Sequence, residues 1–140
     1  MNEVSRDLQA SLQEHEGFRS KAYLDSLGNL TIGYGQLVSE LVVSKELAAQ
    51  WLIAATEEKI KQLKTYECFN AVTDPVRRDV LIEMAYNLGV AGLMGFKNMW
   101  KSIKEKDWTS ASKHMKDSRW ATQVKSRADT LARRMETGRY

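Results

Sequence analysis

The chain of 140 residues is 43% hydrophobic and 28% charged, a globular balance that excludes a disordered, collagen-like or coiled-coil chain and leaves room for one domain. Its net charge of +3 conceals a split, because residues 1–96 hold 9 Lys+Arg against 13 Asp+Glu while residues 97–140 hold 12 against 5. A basic end favours polyanions without saying which, and the single cysteine, Cys68, excludes an intramolecular disulfide and a Cys-based zinc centre.

The opening MNEVSRDLQASLQEHEG has acids in its first turn and no long apolar run, so neither a signal peptide nor a membrane anchor is expected. No later stretch approaches the roughly 20 apolar residues of a membrane span. Val4, Leu8, Leu12 and His15 share one face of a predicted helix over 4–15, with Gly17 at its end. Lys21 to Gly35 changes period around the turn Asp25-Ser26-Leu27-Gly28-Asn29 and predicts a short hairpin or small sheet. From Ser44, a cap, to about Lys64 there is no Gly or Pro, and Leu47, Trp51, Leu52, Ala55, Ile60 and Leu63 form an apolar stripe, which predicts the longest helix. Thr73-Asp74-Pro75 opens a helix that Gly89 closes. Shorter helices are predicted near 96–105, 108–117, 119–123 and 126–137, giving an α+β, mostly helical fold with the strands segregated near the start.

Several chemistries find no support in the spacing. GNLTIGYG lacks the GxxxxGK[ST] of a phosphate loop, neither His15 nor His114 sits in an HExxH arrangement, and no GxSxG elbow supports a serine triad. What remains is a pair of carboxylates, Glu16 before Gly17 and Asp25 at the start of the turn, with the hydroxyl of Thr31 six residues further on. Glycosidic hydrolysis needs one carboxylic acid to protonate the leaving oxygen and one carboxylate to direct water or stabilise the transition state. Read alone, Asp25 is more readily a turn residue and Glu16 a solvated helix end.

HEGFRSKAYLDSLGNLTIGYGQL resembles the amino-terminal signature of the bacteriophage-type lysozymes, in which E-G, an apolar strand, Y-x-D, a glycine turn and T-I-G-x-G-H-L follow in order. DPVRRDVLIEMAYNLGVAGLMGFKNMW is similar to that family's central helix and following loop, and DWTSASKHMKDSRWATQVKSRADTLARRMETGRY to its carboxy-terminal helices. The agreement is weakest between Val38 and Val72. The resemblance implies that Glu16 is the general acid, that Asp25 is the second catalytic carboxylate and that Thr31 stands beside it. It also implies an inverting single displacement, for which carboxyls roughly 6.5–9.5 Å apart are needed, with Glu16 protonated near neutrality. Arg127 resembles an arginine that pairs with the acid, which suggests orientation of Glu16. Leu37 matches the leucine after the glycine turn, and Tyr86 and Asn87 fall where the family has an aromatic and an amide lining its saccharide groove, with a core position in the central helix the alternative for Tyr86. Gln123, after Trp120, reads either as facing the cleft or as an ordinary surface residue. Trp120 reads as core.

Three departures stand out. Gln36 replaces the family's histidine after the glycine turn and Ala54 or Ala55 its acidic partner, which implies altered pH dependence rather than lost activity. Met99 and His114 occupy two substrate-contact positions, where His114 can still bond a sugar. The segment between the glycine turn and the central helix is shorter than usual. The resemblance implies a single two-lobed domain over 1–140, with a small lobe at about 16–64 and a helical lobe at about 65–140 plus helix 1–15.

The implied activity is hydrolysis of the β-1,4 bond between N-acetylmuramic acid and N-acetylglucosamine in peptidoglycan, without metal or organic cofactor, by a monomer that lyses a bacterial host. The partners implied are glycan strands and a separate pore-forming, holin-type protein. No nucleic acid and no stable membrane insertion are expected, and the basic end would hold the enzyme on an anionic wall. The implied location is the host cytoplasm at synthesis and the periplasm of a Gram-negative host in action. Two rivals remain at this point, a non-cleaving module of the same fold and a basic nucleic-acid-binding protein, the latter without a recognised motif.

Overall fold

The structure, a computed structural model, describes residues 3–140. It divides into a first unit ending at Ala48 and a second spanning Ala49–Tyr140.

The first unit opens with α1 (Arg6–Glu16). Ser5 Oγ accepts the Leu8 N–H at 3.1 Å, and this cap starts the helix two residues later than the apolar spacing alone predicts. Gly17, at φ 68°, ends it with an N–H bond to the Gln13 carbonyl. Three antiparallel strands follow, β1 (Arg19–Leu24), β2 (Leu30–Gly33) and β3 (Gln36–Leu37), in the order β1-β2-β3. Thr31 is central to the register, since it faces Tyr23 across one ladder and Leu37 across the other. The third strand lies beyond the predicted hairpin because Gly33 and Gly35, both at positive φ, reverse the chain between β2 and β3. A single 3-10 turn, Val38–Glu40, follows.

Ser44 caps α2 (Lys45–Leu63) by accepting the Leu47 N–H, as its position predicts. Of the predicted apolar stripe only Leu63 is buried, whereas Trp51 and Leu52 are about half exposed. The rest of the second unit is α3 (Glu67–Asn70), α4 (Pro75–Leu88), α5 (Val90–Met94), α6 (Lys97–Lys104), α7 (Trp108–Lys116), α8 (Arg119–Val124) and α9 (Ser126–Thr137). Asp74, Asp107 and Ser118 cap α4, α7 and α8 through side-chain oxygens, and Pro75 at the first helical position of α4 forfeits only an N–H that has no intrahelical partner.

The core belongs to this unit. Val80, Leu81, Met84 and Ala85 give α4 a buried stripe that meets Met115 of α7 and Leu131 of α9 in one cluster. Arg77 ties α4 to the end of α9, donating through Nε to the Met135 carbonyl at 2.7 Å and through Nη2 to the Glu136 carbonyl at 2.9 Å. These carbonyls lie in the last turn of α9, where helix geometry leaves them without partners. Leu81 is fully buried, so Leu81→Ala is expected to lower unfolding free energy by about 2–5 kcal/mol in urea titrations. A loss below about 1 kcal/mol would show that Leu81 is not packed as described. Among the described residues, no helix is long and apolar enough to cross a membrane.

Candidate active site

Glu16 is the last residue of α1 and is exposed. Its carboxylate rests against the turn between β2 and β3, so closely that a Cβ added to Gly35 would stand 2.6 Å from Glu16 Oε2 and 3.3 Å from its carboxyl carbon. A second contact fastens the same two segments, because the Phe18 and Tyr34 rings pack tilted at 48° with centroids 5.4 Å apart. Glycine at position 35 therefore has two causes, a φ of 77° and the approach of the carboxylate. Gly35→Ala is expected to cost about 1–2 kcal/mol in backbone strain and, by displacing Glu16, to lower kcat about 10²-fold. Unchanged kcat in the folded variant would separate Glu16 from the chemistry.

Asp25 follows β1 and closes the turn to β2 on itself. Its Oδ1 accepts the N–H of Leu27 at 2.9 Å and of Asn29 at 2.8 Å, and its own N–H donates to the Asn29 carbonyl at 2.9 Å. Gly28, at φ 82°, completes the turn. The Asn29 N–H is the main cause that holds the Asp25 carboxyl below the ordinary 3.8, partial desolvation opposes it, and the Leu27 N–H reinforces it. A carboxylate so held is ionised throughout the neutral range, as the partner of an acid must be. Because the folded pKa is depressed, this contribution to stability is present above the unfolded value and lost as pH falls through the folded one. A carbon-13 titration of the Asp25 carboxyl is expected to inflect below 3.8, and an inflection at or above 3.8 would remove the proposed pinning.

Thr31 is buried, and its Oγ1 donates to the Asn29 carbonyl at 3.0 Å, which leaves the hydroxyl lone pairs as acceptors. Asn29 thus binds Asp25 and Thr31 together through its backbone, a role that sequence reading missed, although the D-x-x-G-N turn carries the signal. Leu37, half-buried, lies directly across the ladder from Thr31. Gln36, at the position of the family's histidine, folds back over the glycine turn, where its Oε1 accepts the Tyr34 N–H at 3.3 Å. Its amide oxygen is thus bonded to its own turn.

The remaining candidates lie in the second unit. His114 and Gln123 line a groove of about 490 Å³ whose wall includes Met99, Lys97, Arg119 and Trp120. Asn87 is linked to that wall, since its Oδ1 accepts the Trp120 Nε1–H at 2.8 Å. Trp120 is buried, as its reading as core requires, and also meets Phe96 edge to face. Tyr86 is 43% exposed on α4 and is not a core residue. Arg127 donates to Glu83 Oε1 at 3.2 Å, and Arg134 approaches the other oxygen at 4.0 Å. Glu83 carried no motif of its own in the sequence and was missed. Among the described residues, no cluster of three metal-ligating side chains occurs.

The phage lysozyme family profile matches residues 13–137. Probable T4-type lysozymes 1 and 2 of Dictyostelium discoideum are 26% and 27% identical to the chain, over 91% and 94% of it and 92% and 94% of their own lengths. Peptidoglycan hydrolase gp36 of Pseudomonas phage phiKMV is 27% identical over 89% of the chain, a stretch that makes up 14% of that protein. A glycine turn cradling one carboxylate, an ionised aspartate in the turn after β1 and this match along almost the whole sequence lead to one conclusion: the chain belongs to the phage lysozyme family and is a lysozyme-type glycoside hydrolase.

Proposed function

We propose that this lysozyme hydrolyses the β-1,4 bond between N-acetylmuramic acid and N-acetylglucosamine of peptidoglycan by single displacement. Glu16 gives its proton to the glycosidic oxygen as the C1–O bond breaks. Asp25 takes a proton from water as the new C1–O bond forms on the opposite face, and Thr31 accepts a hydrogen bond that holds the water. The observation that carries the reading is the contrast between the two carboxylates. Asp25 is fixed as an anion by backbone N–H groups, whereas Glu16, at the end of α1, is set against the glycine turn.

Tyr86, Asn87, His114 and Gln123 are assigned to saccharide or stem-peptide binding, with Leu37 beside the catalytic hydroxyl and Arg127 oriented by Glu83. The proposal extends to a lytic role in a Gram-negative host, exercised by a monomer that reaches the wall through a separate pore-forming protein. The test is the identity of the new reducing end. Borohydride reduction of digested peptidoglycan is expected to convert N-acetylmuramic acid to its alditol, and reduced N-acetylglucosamine instead would assign the cleavage to the other bond.

A further inference from the structure

A second groove, of about 720 Å³, lies in the second unit between α3 with the following loop and α6 with the start of α7. This volume is within the roughly 300–1,000 Å³ of small-molecule sites. Its floor is apolar, formed by Val72 and Ile103, both nearly inaccessible, and by Trp100 and Trp108. The indoles are fixed in place, since Trp100 Nε1 donates to the Leu93 carbonyl at 3.0 Å and the Arg77 guanidinium lies 4.1 Å over Trp108.

One edge of the groove is strongly basic. Lys97, Lys101 and Lys104 recur at four- and three-residue spacing along α6, so they form a single row, and Lys106 extends it. All four are exposed, and among the described residues none is in an ion pair. Lys106 is held at φ 56°, a left-handed conformation that favours Gly or Asn. On the opposite edge, Asp74 is occupied by capping α4 and by its pair with Arg77, which leaves Glu67 as the other acid. An apolar trough beside an unneutralised cationic row matches a ligand with both characters.

We propose that this groove binds a monomeric single-chain anionic lipid, with the alkyl chain along Val72, Trp100, Ile103 and Trp108 and the anionic head against the lysine row. Charge complementarity selects an anion, and the apolar floor selects a chain over a headgroup alone. Concavity selects a monomer over a bilayer, because the fixed indoles line the trough and do not project from it. Glu16, Asp25 and Thr31 take no part in this site, so its test stands apart from that of the catalytic reading.

Cys68 is the only cysteine, is exposed and lines the groove, which makes it a native reporter. Myristoyl lysophosphatidylglycerol below its critical micelle concentration is expected to slow thiol labelling of Cys68 about tenfold at nine-tenths occupancy. Lys101→Glu combined with Lys104→Glu is expected to weaken binding at least about tenfold, and Ala71→Trp, which fills the groove from an exposed position, to abolish it. Unchanged unfolding midpoints are expected for both variants, and a midpoint loss in one leaves the other as the test. Equal protection by glycerol phosphate, by myristoyl lysophosphatidylcholine or only by phosphatidylglycerol vesicles would overturn the proposal, as would undiminished affinity in the lysine variant.

Discussion

Glu16→Gln is expected to lower kcat on peptidoglycan by about 10²–10⁴-fold, the usual worth of a positioned general acid. The substitution preserves the shape of the side chain beside Gly35 and removes only the transferable proton. Glu16 is exposed and contributes to no buried cluster, so thermal unfolding is expected to shift by less than about 0.5 kcal/mol. KM is expected to change little, because the proton is needed in the transition state and not for binding. A variant with nearly normal kcat would transfer the acid role elsewhere.

Asp25→Asn is expected to be as damaging to kcat, by about 10²–10⁴-fold, for a different reason. The amide oxygen still accepts the N–H bonds of Leu27 and Asn29 that close the turn, so the backbone around the site is retained. What is lost is the negative charge and the capacity to take a proton from water. The distinction is measurable, since near-normal substrate affinity with collapsed turnover marks a chemical role, whereas loss of both marks a collapsed turn. Retention of wild-type turnover by Asp25→Asn would exclude the single-displacement scheme.

The sequence is most informative where local chemistry decides the structure. Asp74 before Pro75, Ser44 before an uninterrupted helix, and Gly17 and Gly89 after apolar runs mark ends that the backbone respects, because each meets an unpaired N–H or permits a positive φ. Ser5 shows the same chemistry overruling the apolar pattern at the start of α1. The 3-10 turn, α3 and α5 escape notice because three to five residues are too few to display a period. The face of α2 misleads in the other direction, since a stripe containing Trp51 and Leu52 reads as core but stays exposed.

At the candidate site, the residues proposed are legible in the sequence and their arrangement is not. Glu16, Asp25 and Thr31 are candidates through their order along the chain and the family resemblance, yet nothing in that order reveals that Asn29 joins the last two through backbone atoms or that Glu16 leans on Gly35. Backbone groups carry no sequence signature, which is also why the cause of the low Asp25 pKa emerges only in three dimensions. The loss of the family's histidine at Gln36 is legible as a departure, while its consequence, a side chain bonded back onto its own turn, is not.

The stereochemistry of the first-formed product is the most direct measurement. A proton NMR spectrum of a defined peptidoglycan oligosaccharide, recorded within the first turnovers and before mutarotation, is expected to show the α-anomer at the new reducing end, because water activated by Asp25 attacks the face opposite the leaving group protonated by Glu16. Initial formation of the β-anomer would mean retention through a double displacement and would contradict the roles given to both carboxylates.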